Sequence, residues 1–321
     1  MKKLISLFLC LALLAGTFAG CGNIGKSKSF TIVATTFPIY DWVRQVLGEE
    51  MENVDLILLQ DNGADLHNYQ PTADDIVTIA SCDMFVYVGG HSDEWVDEVL
   101  AQSINENMVV INLCQVLGDA VKEEEAVEGM EHEHEEEHEG HVHEDDEHIW
   151  LSLRNAKAIC REIGEKLSVM DSENAETYKA NAQSYCDKLD TLDEAYQGVV
   201  EAATTKTLLF GDRFPFRYLT DDYGLTYYAA FSGCSAESEA SFETIAFLAE
   251  KMDALDLQYI MIIEGSDGSI AKTVVNATAA KNAKVLTLDS MQTITADDVK
   301  QGATYLSIME RNLAVLEEAL S

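Results

Sequence analysis

The chain has 321 residues, length enough for about two domains, and its hydrophobic fraction of 47% is ample for buried cores. A formal net charge of −36 argues against binding to nucleic acid or to anionic lipid head groups and suits the attraction of cations.

In chain order, Lys2 and Lys3 precede an apolar run over residues 4–15 and then small residues up to Gly20 and Cys21. A charged start, a short apolar centre and a small-residue exit make residues 1–20 a signal peptide, too short to be a good spanning helix. The exit Phe18-Ala19-Gly20-Cys21 resembles the bacterial lipoprotein box, with Phe18 in place of the usual aliphatic residue. That resemblance implies a lipid on Cys21, a tether over residues 21–29, and attachment to the outer face of the cytoplasmic membrane through lipid alone. An ordinary secretory peptide cut nearby is the alternative. No later apolar stretch is long enough to span.

β-Branched, apolar runs at 30–35, 54–59, 84–88 and 108–112 read as strands. Helical spacing covers 39–47, ended by Gly48, and 95–100; Thr72 with Asp75 predicts a capping pair for a helix between them. Strands alternating with helices imply a parallel sheet covered on both faces, placing a first lobe at residues 30–150. Residues 151–203 are helix-rich. A break near Asp171 separates off a long helix over 175–200, with Leu189, Leu192, Tyr196 and Val199 on one face, which would join two halves stiffly. Residues 204–321 repeat the theme. Strands are expected at 207–210, 226–231, 258–263 and 284–288, helices at 242–252 and 270–280, and a C-terminal helix capped by Thr295 and Asp298. The predicted fold class is α/β: two similar parallel-sheet lobes with flanking helices, joined by a long rigid helix. Five cysteines lie beyond Cys10 and Cys21; they show no C-x-x-C spacing, an odd one is left over, and several should be small buried hydrophobes.

Residues 123–148 interrupt this pattern. They hold fourteen acidic residues, six histidines and no Lys or Arg, with no apolar face at either period, which predicts a mobile, solvated loop. Many imidazoles are unprotonated at neutral pH and the carboxylates draw divalent cations, so the tract reads as metal binding by composition. His134-Glu135-Glu136-Glu137-His138 matches the H-E-x-x-H expression of zinc proteases. That motif works on a helix packed against a core, and flanks of Glu and His offer no such support.

Ligands of open parallel sheets sit at the carboxyl ends of strands. Three such places carry metal-type side chains: His67 within Gly63-Ala64-Asp65-Leu66-His67-Asn68-Tyr69-Gln70-Pro71, His148 before Ile149-Trp150-Leu151, and Glu264 after the expected strand at 258–263. Singly, each is more simply a surface or solvated group.

Together they resemble the zinc and manganese substrate-binding lipoproteins of bacterial ABC importers, over nearly the whole mature chain. Leu66-His67-Asn68-Tyr69-Gln70-Pro71 is similar to a Pro-His-x-Tyr-Glu-Pro stretch, and Asp146-Glu147-His148-Ile149-Trp150-Leu151 to an Asp-Pro-His-x-Trp-Leu stretch that follows a His-rich acidic loop in zinc members. Asp222-Tyr223-Gly224-Leu225 and Glu237-Ser238-Glu239-Ala240-Ser241 look like further landmarks. The resemblance implies a metal site in the cleft between the lobes, with His67, His148 and Glu264 as ligands. It also implies a loop that collects or senses ions, and an ABC permease with its ATPase as partners. It departs from the family at Phe210-Gly211-Asp212-Arg213-Phe214, where Gly211 stands at the place of a third histidine. Zinc usually takes four ligands in a closed site. Asp212 can fill the gap, as can Cys234, His91, a water or a loop histidine. Arg213 and Arg217 would oppose a metal unless paired with Asp212, Asp221 or Asp222. Ligand softness and the loop favour Zn2+, and a carboxylate in place of an imidazole would move the site toward Mn2+. The implied function is capture of a divalent metal for import rather than catalysis. The alternatives are a zinc-storage or adhesin lipoprotein and a secreted metalloenzyme, for which no general base is evident.

Overall fold

The computed structural model describes residues 30–130, 145–235 and 239–321. The signal, Cys21 and the tether lie outside them, as do residues 131–144 of the acidic tract. Eight strands form two parallel sheets. β1 (Phe30–Ala34), β2 (Val54–Leu58), β3 (Met84–Tyr87) and β4 (Val109–Asn112) are ordered β2-β1-β3-β4. β5 (Thr207–Phe214), β6 (Thr226–Ser232), β7 (Tyr259–Ile263) and β8 (Lys284–Leu288) are ordered β6-β5-β7-β8. Each half therefore places its first strand between its second and third. In both, the chain reverses direction across the sheet beside that first strand, and ligand-binding crevices open at such points. The expected strands are all present within a few residues; β5 runs further, to Phe214, through a register shift between Phe210 and Arg213.

The helices are α1 (Phe37–Leu47), α2 (Ala73–Ser81), α3 (Trp95–Leu100), α4 (Leu113–Leu117), α5 (Leu153–Met170), α6 (Ala175–Ala202), α7 (Arg217–Tyr223), α8 (Phe242–Ala254), α9 (Ser269–Ala277), α10 (Ala296–Lys300) and α11 (Tyr305–Ala319). The Thr72–Asp75 capping box opens α2. The Thr295–Asp298 box opens the short α10 instead of the C-terminal helix, because Gly302 at φ 95° ends that turn; α11 has its own cap from Thr304 and Ser307.

The 28 residues of α6 span about 42 Å at 1.5 Å per residue. Its buried face carries Tyr178, Ala182, Tyr185, Leu189, Leu192, Tyr196 and Val200. The helix grips both halves: Asn181 Nδ2 donates to Val46 O at 3.0 Å at the end of α1, and Tyr196 Oη donates to Met309 O at 2.7 Å in α11. Gly164 lets α5 approach, since a Cβ there would lie 2.9 Å from Ala182 Cβ. α11 also crosses to the first lobe. Tyr305 packs edge-on against Trp42 at 5.1 Å between ring centroids and donates to Trp150 O at 2.6 Å. One hydrophobic cluster thus runs through both halves.

The acidic tract is not solvated throughout, as its composition predicts. Met130 is buried in the main core, and Asp146, Glu147 and His148 are buried too. A bridge between Glu123 and Asp145, with Asp146 N–H donating to Lys122 O at 2.7 Å, closes its neck against the fold. Among the described residues no helix is long and apolar enough to cross a membrane.

Candidate metal centre

After β2 the chain turns at Asp65, whose carboxylate accepts from His67 N–H at 3.1 Å and caps the turn Leu66–Asn68. Leu66 is buried and pins that turn, so the His67 ring is presented from a fixed backbone. At the other end of the acidic tract Asp146 Oδ1 accepts from both His148 N–H, at 2.9 Å, and His148 Nδ1, at 3.0 Å. Ile149, Trp150 and Leu151 follow as a buried turn, and Trp150 Nε1 donates to Ser290 O of the second lobe at 2.8 Å. The two imidazoles meet with Nε2 to Nε2 at 3.3 Å.

Each ring is oriented from behind. His148 Nδ1 faces Asp146; His67 Nδ1 lies 2.9 Å from Ser92 Oγ and 3.2 Å from Glu147 Oε2. Protons on both Nδ1 atoms leave both Nε2 lone pairs directed at one point, which is how carboxylates behind histidines prepare metal ligands. Glu147 is itself held by Ser92 N–H at 2.6 Å and Ser92 Oγ at 2.5 Å. It reaches them because Gly90 has no side chain: a Cβ there would stand 2.2 Å from Glu147 Oε1. Burial disfavours charge on these groups, but local partners outweigh it. The His67 ring and Ser92 lower Glu147, Arg213 lowers Asp65, and Asp146 raises His148. Two facing lone pairs repel unless a cation lies between them. The edge of a zinc tetrahedron with Zn–N bonds of 2.0–2.1 Å is ~3.3 Å, the separation found, so the rings fit a zinc ion without moving apart.

The second lobe contributes differently from expectation. Among the described residues, one group of three or more His, Cys, Asp or Glu side chains has all its ligand atoms within 4.8 Å of one another: His67, His148 and Cys234. Neither Asp212 nor Glu264 joins it. Asp212 accepts from its own chain, from Arg213 N–H at 2.9 Å and Ile263 N–H at 3.4 Å. Glu264 accepts from Ser290 N–H at 2.6 Å, Ser290 Oγ at 2.8 Å and Gln292 N–H at 2.9 Å; burial, then Asp289, push its carboxyl up to about 7. Both carboxylates line the cleft, a cavity of about 550 Å3 that also has Asp65, Asn68 and Arg213 on its walls. Gly211 cannot stand for a ligand, because a Cβ there would lie 2.5 Å from Ala271 Cα in α9. The side chain that reaches the first lobe from this strand is Arg213, which pairs with Asp65 at 2.6 Å. The expected pairings with Asp212, Asp221 or Asp222 are met only by Arg217, which lies 3.9 Å from Asp221 and 3.5 Å from Glu125. His91 turns away to Glu94 at 2.9 Å on the surface. Glu147, Asp146 and Ser92 were not foreseen as partners of the rings; the unbroken Asp-Glu-His at 146–148 was the available signal.

A family model described as zinc-uptake complex component A, periplasmic (ZnuA), matches residues 32–319. The zinc-binding lipoprotein AdcA of Streptococcus pneumoniae is 33% identical over 323 residues, covering 99% of this chain and 61% of that protein, so the chain spans under two thirds of that relative. The high-affinity zinc uptake system protein ZnuA of Bacillus subtilis is 28% identical over 329 residues, covering 99% of this chain and 98% of the relative. The crystal structure of the Zn(II)-bound ZnuA-like domain of S. pneumoniae AdcA superposes with a TM-score of 0.70 at 28% identity, over 91% of this chain and 98% of that one. The two-lobed fold and the matched span agree with the resemblance drawn from the motifs: the chain belongs to the ZnuA family of zinc-uptake components.

Proposed function

We propose that the protein captures Zn2+ outside the cell and hands it to an ABC permease driven by its ATPase. The observation that carries this is the imidazole pair, with Nε2 atoms 3.3 Å apart and each ring backed by a carboxylate. His67 and His148 hold the ion from the first lobe. Glu264 is taken as a carboxylate ligand from the second lobe, a role that requires it to exchange some of its bonds to Ser290 and Gln292. Asp212 stays with its backbone partners. The binding of α6 to both halves restricts wide hinge opening, so loading takes place by ordering of local loops. The histidines of the acidic tract collect ions, and the tract rejoins the fold at the Glu123–Asp145 bridge, three residues before His148. A lipid on Cys21 keeps the protein on the outer face of the membrane. The names and bound metals of the relatives support this reading.

The test is a competitive zinc titration of the full chain in detergent, compared with His67→Ala and with a chain lacking only residues 131–144, which leaves Glu124, Met130 and Asp146 in place. One tight ion should remain without the loop and disappear with His67→Ala. Tight binding that vanishes with the loop alone would replace the cleft by the tract as the site.

A further inference from the structure

Resting on that reading, the geometry points to Cys234 as a further metal ligand beside the two imidazoles: a thiolate that makes a His2Cys set and selects Zn2+ over Mn2+. Its Sγ lies within 4.8 Å of a ligand nitrogen of each imidazole, with no atom of the expected carboxylates in the group. A tetrahedral zinc with one thiolate sets its N-to-S edges at ~3.6 Å from bonds of 2.0–2.1 and 2.3 Å. A relative displacement of Sγ of no more than about 1 Å therefore closes the coordination.

The surroundings of Cys234 set it apart from the other cysteines. Cys82, Cys160 and Cys186 are buried within hydrophobic clusters and Cys114 packs against one; Cys234 belongs to none of them. It follows β6 on a loop held at three points around the site. Gly233 lies so near His148 that a Cβ would meet Cε1 of the ring at 2.9 Å. Cys234 N–H donates to Glu124 Oε1 at 3.0 Å, at the base of the acidic tract. Arg213 donates to Ser235 O at 3.4 Å and to Asp65 Oδ2 at 2.6 Å, tying the loop to the turn that carries His67. These contacts present the thiol to the two imidazoles.

Burial, then the Glu124 carboxylate, hold the metal-free thiol protonated. A bound dication reverses that balance, since a coordinating thiol is deprotonated outright. The Sγ–H bond breaks, an Sγ–metal bond forms, and the proton leaves to solvent. No change of oxidation state is involved. Thiolate is a soft ligand suited to Zn2+, whereas Mn2+ is served by carboxylate, carbonyl and water. The site thus replaces an imidazole by a ligand that sharpens discrimination against manganese.

Cobalt(II) provides the test, because it reports its own ligands. The full chain in detergent is loaded with one equivalent of Co2+, beside Cys234→Ser, Cys234→Ala and His67→Ala. The expected result is a thiolate-to-cobalt charge-transfer band in the near ultraviolet. Both Cys234 variants should lose it, while keeping a weaker cobalt complex through His67 and His148. Zinc affinity should fall more than about a hundredfold in those variants, beyond the 10–100-fold usual for a lost partner behind the ligands, with a smaller loss for Mn2+. Cobalt bound to the wild type, abolished by His67→Ala but lacking a thiolate band, would overturn the assignment of Cys234 and leave the capture site intact. Cobalt binding indifferent to His67→Ala would overturn the capture site itself. The wild-type spectrum decides the matter even if a variant fails to fold.

Discussion

The two lobes share a strand order, β2-β1-β3-β4 against β6-β5-β7-β8, yet they prepare their cleft faces differently. The first lobe offers two imidazole nitrogens already converging, each ring with a carboxylate behind it. The second offers side chains engaged elsewhere: Arg213 with Asp65, Asp212 with Ile263 N–H, and Glu264 with Ser290 and Gln292. The contrast teaches that a strand-end carboxylate does not make a ligand by position alone. A ligand needs an unengaged lone pair aimed at the ion, and the partners behind it decide that.

The largest effect that would sharpen this contrast is at the imidazoles. His148→Ala should abolish cleft zinc, a loss above about a thousandfold for a site reduced from its minimum ligand set, while Asp212→Asn should stay within a few-fold. A competition titration against a chelator of known affinity measures both; an Asp212→Asn loss as large as that of His148→Ala would erase the distinction between the lobes. Next come the groups behind the rings. Glu147→Gln and Asp146→Asn should each weaken zinc about 10–100-fold with the fold retained, read by the same titration and by circular dichroism.

Acid should act on both lobes. His148, raised by Asp146 against the effect of burial, and Glu264, pushed up to about 7 by burial and then Asp289, must lose protons to serve a cation. Zinc affinity therefore falls as pH drops through 7. The metal-free fold shows the opposite sign from Glu264. Between the ordinary carboxyl value of 4.5 and about 7, the folded state keeps a proton that the unfolded state has lost. Stability then decreases as pH rises through this window, and Glu264→Gln should flatten that slope in thermal melts at pH 4.5 to 7.5. The smallest expected effect is at Arg213. Its pair with Asp65 is partly exposed, and Arg213→Met should weaken zinc by no more than about fivefold, near the 1 kcal/mol upper range of such pairs.

The strands were legible because each is an apolar, β-branched run bounded by Gly, Pro or polar residues, and β8 matches its expected span at Lys284–Leu288. His67 and His148 were legible because metal-type residues stood in motifs with a known order. The rest depended on tertiary contacts. Asp212 and Arg213 are adjacent, and only the register shift in β5 determines which of them faces Asp65. Gly211 looked like an absent ligand but serves the close approach of α9 at Ala271. The acidic composition of the 123–148 tract conceals that its last three residues are buried, because their partners, Ser92 and His67, lie 55 and 81 residues away. Cys234 has no second cysteine at metal-site spacing, so nothing local distinguished it from a buried thiol.

The position of the ion in crystals of the zinc-loaded full chain, located by anomalous scattering at the zinc edge, tests the central claim most directly. The predicted result is one strong peak ~2.0–2.1 Å from Nε2 of both His67 and His148. A peak held by Asp212 and Glu264, with the two imidazoles still facing each other unbridged, would contradict it.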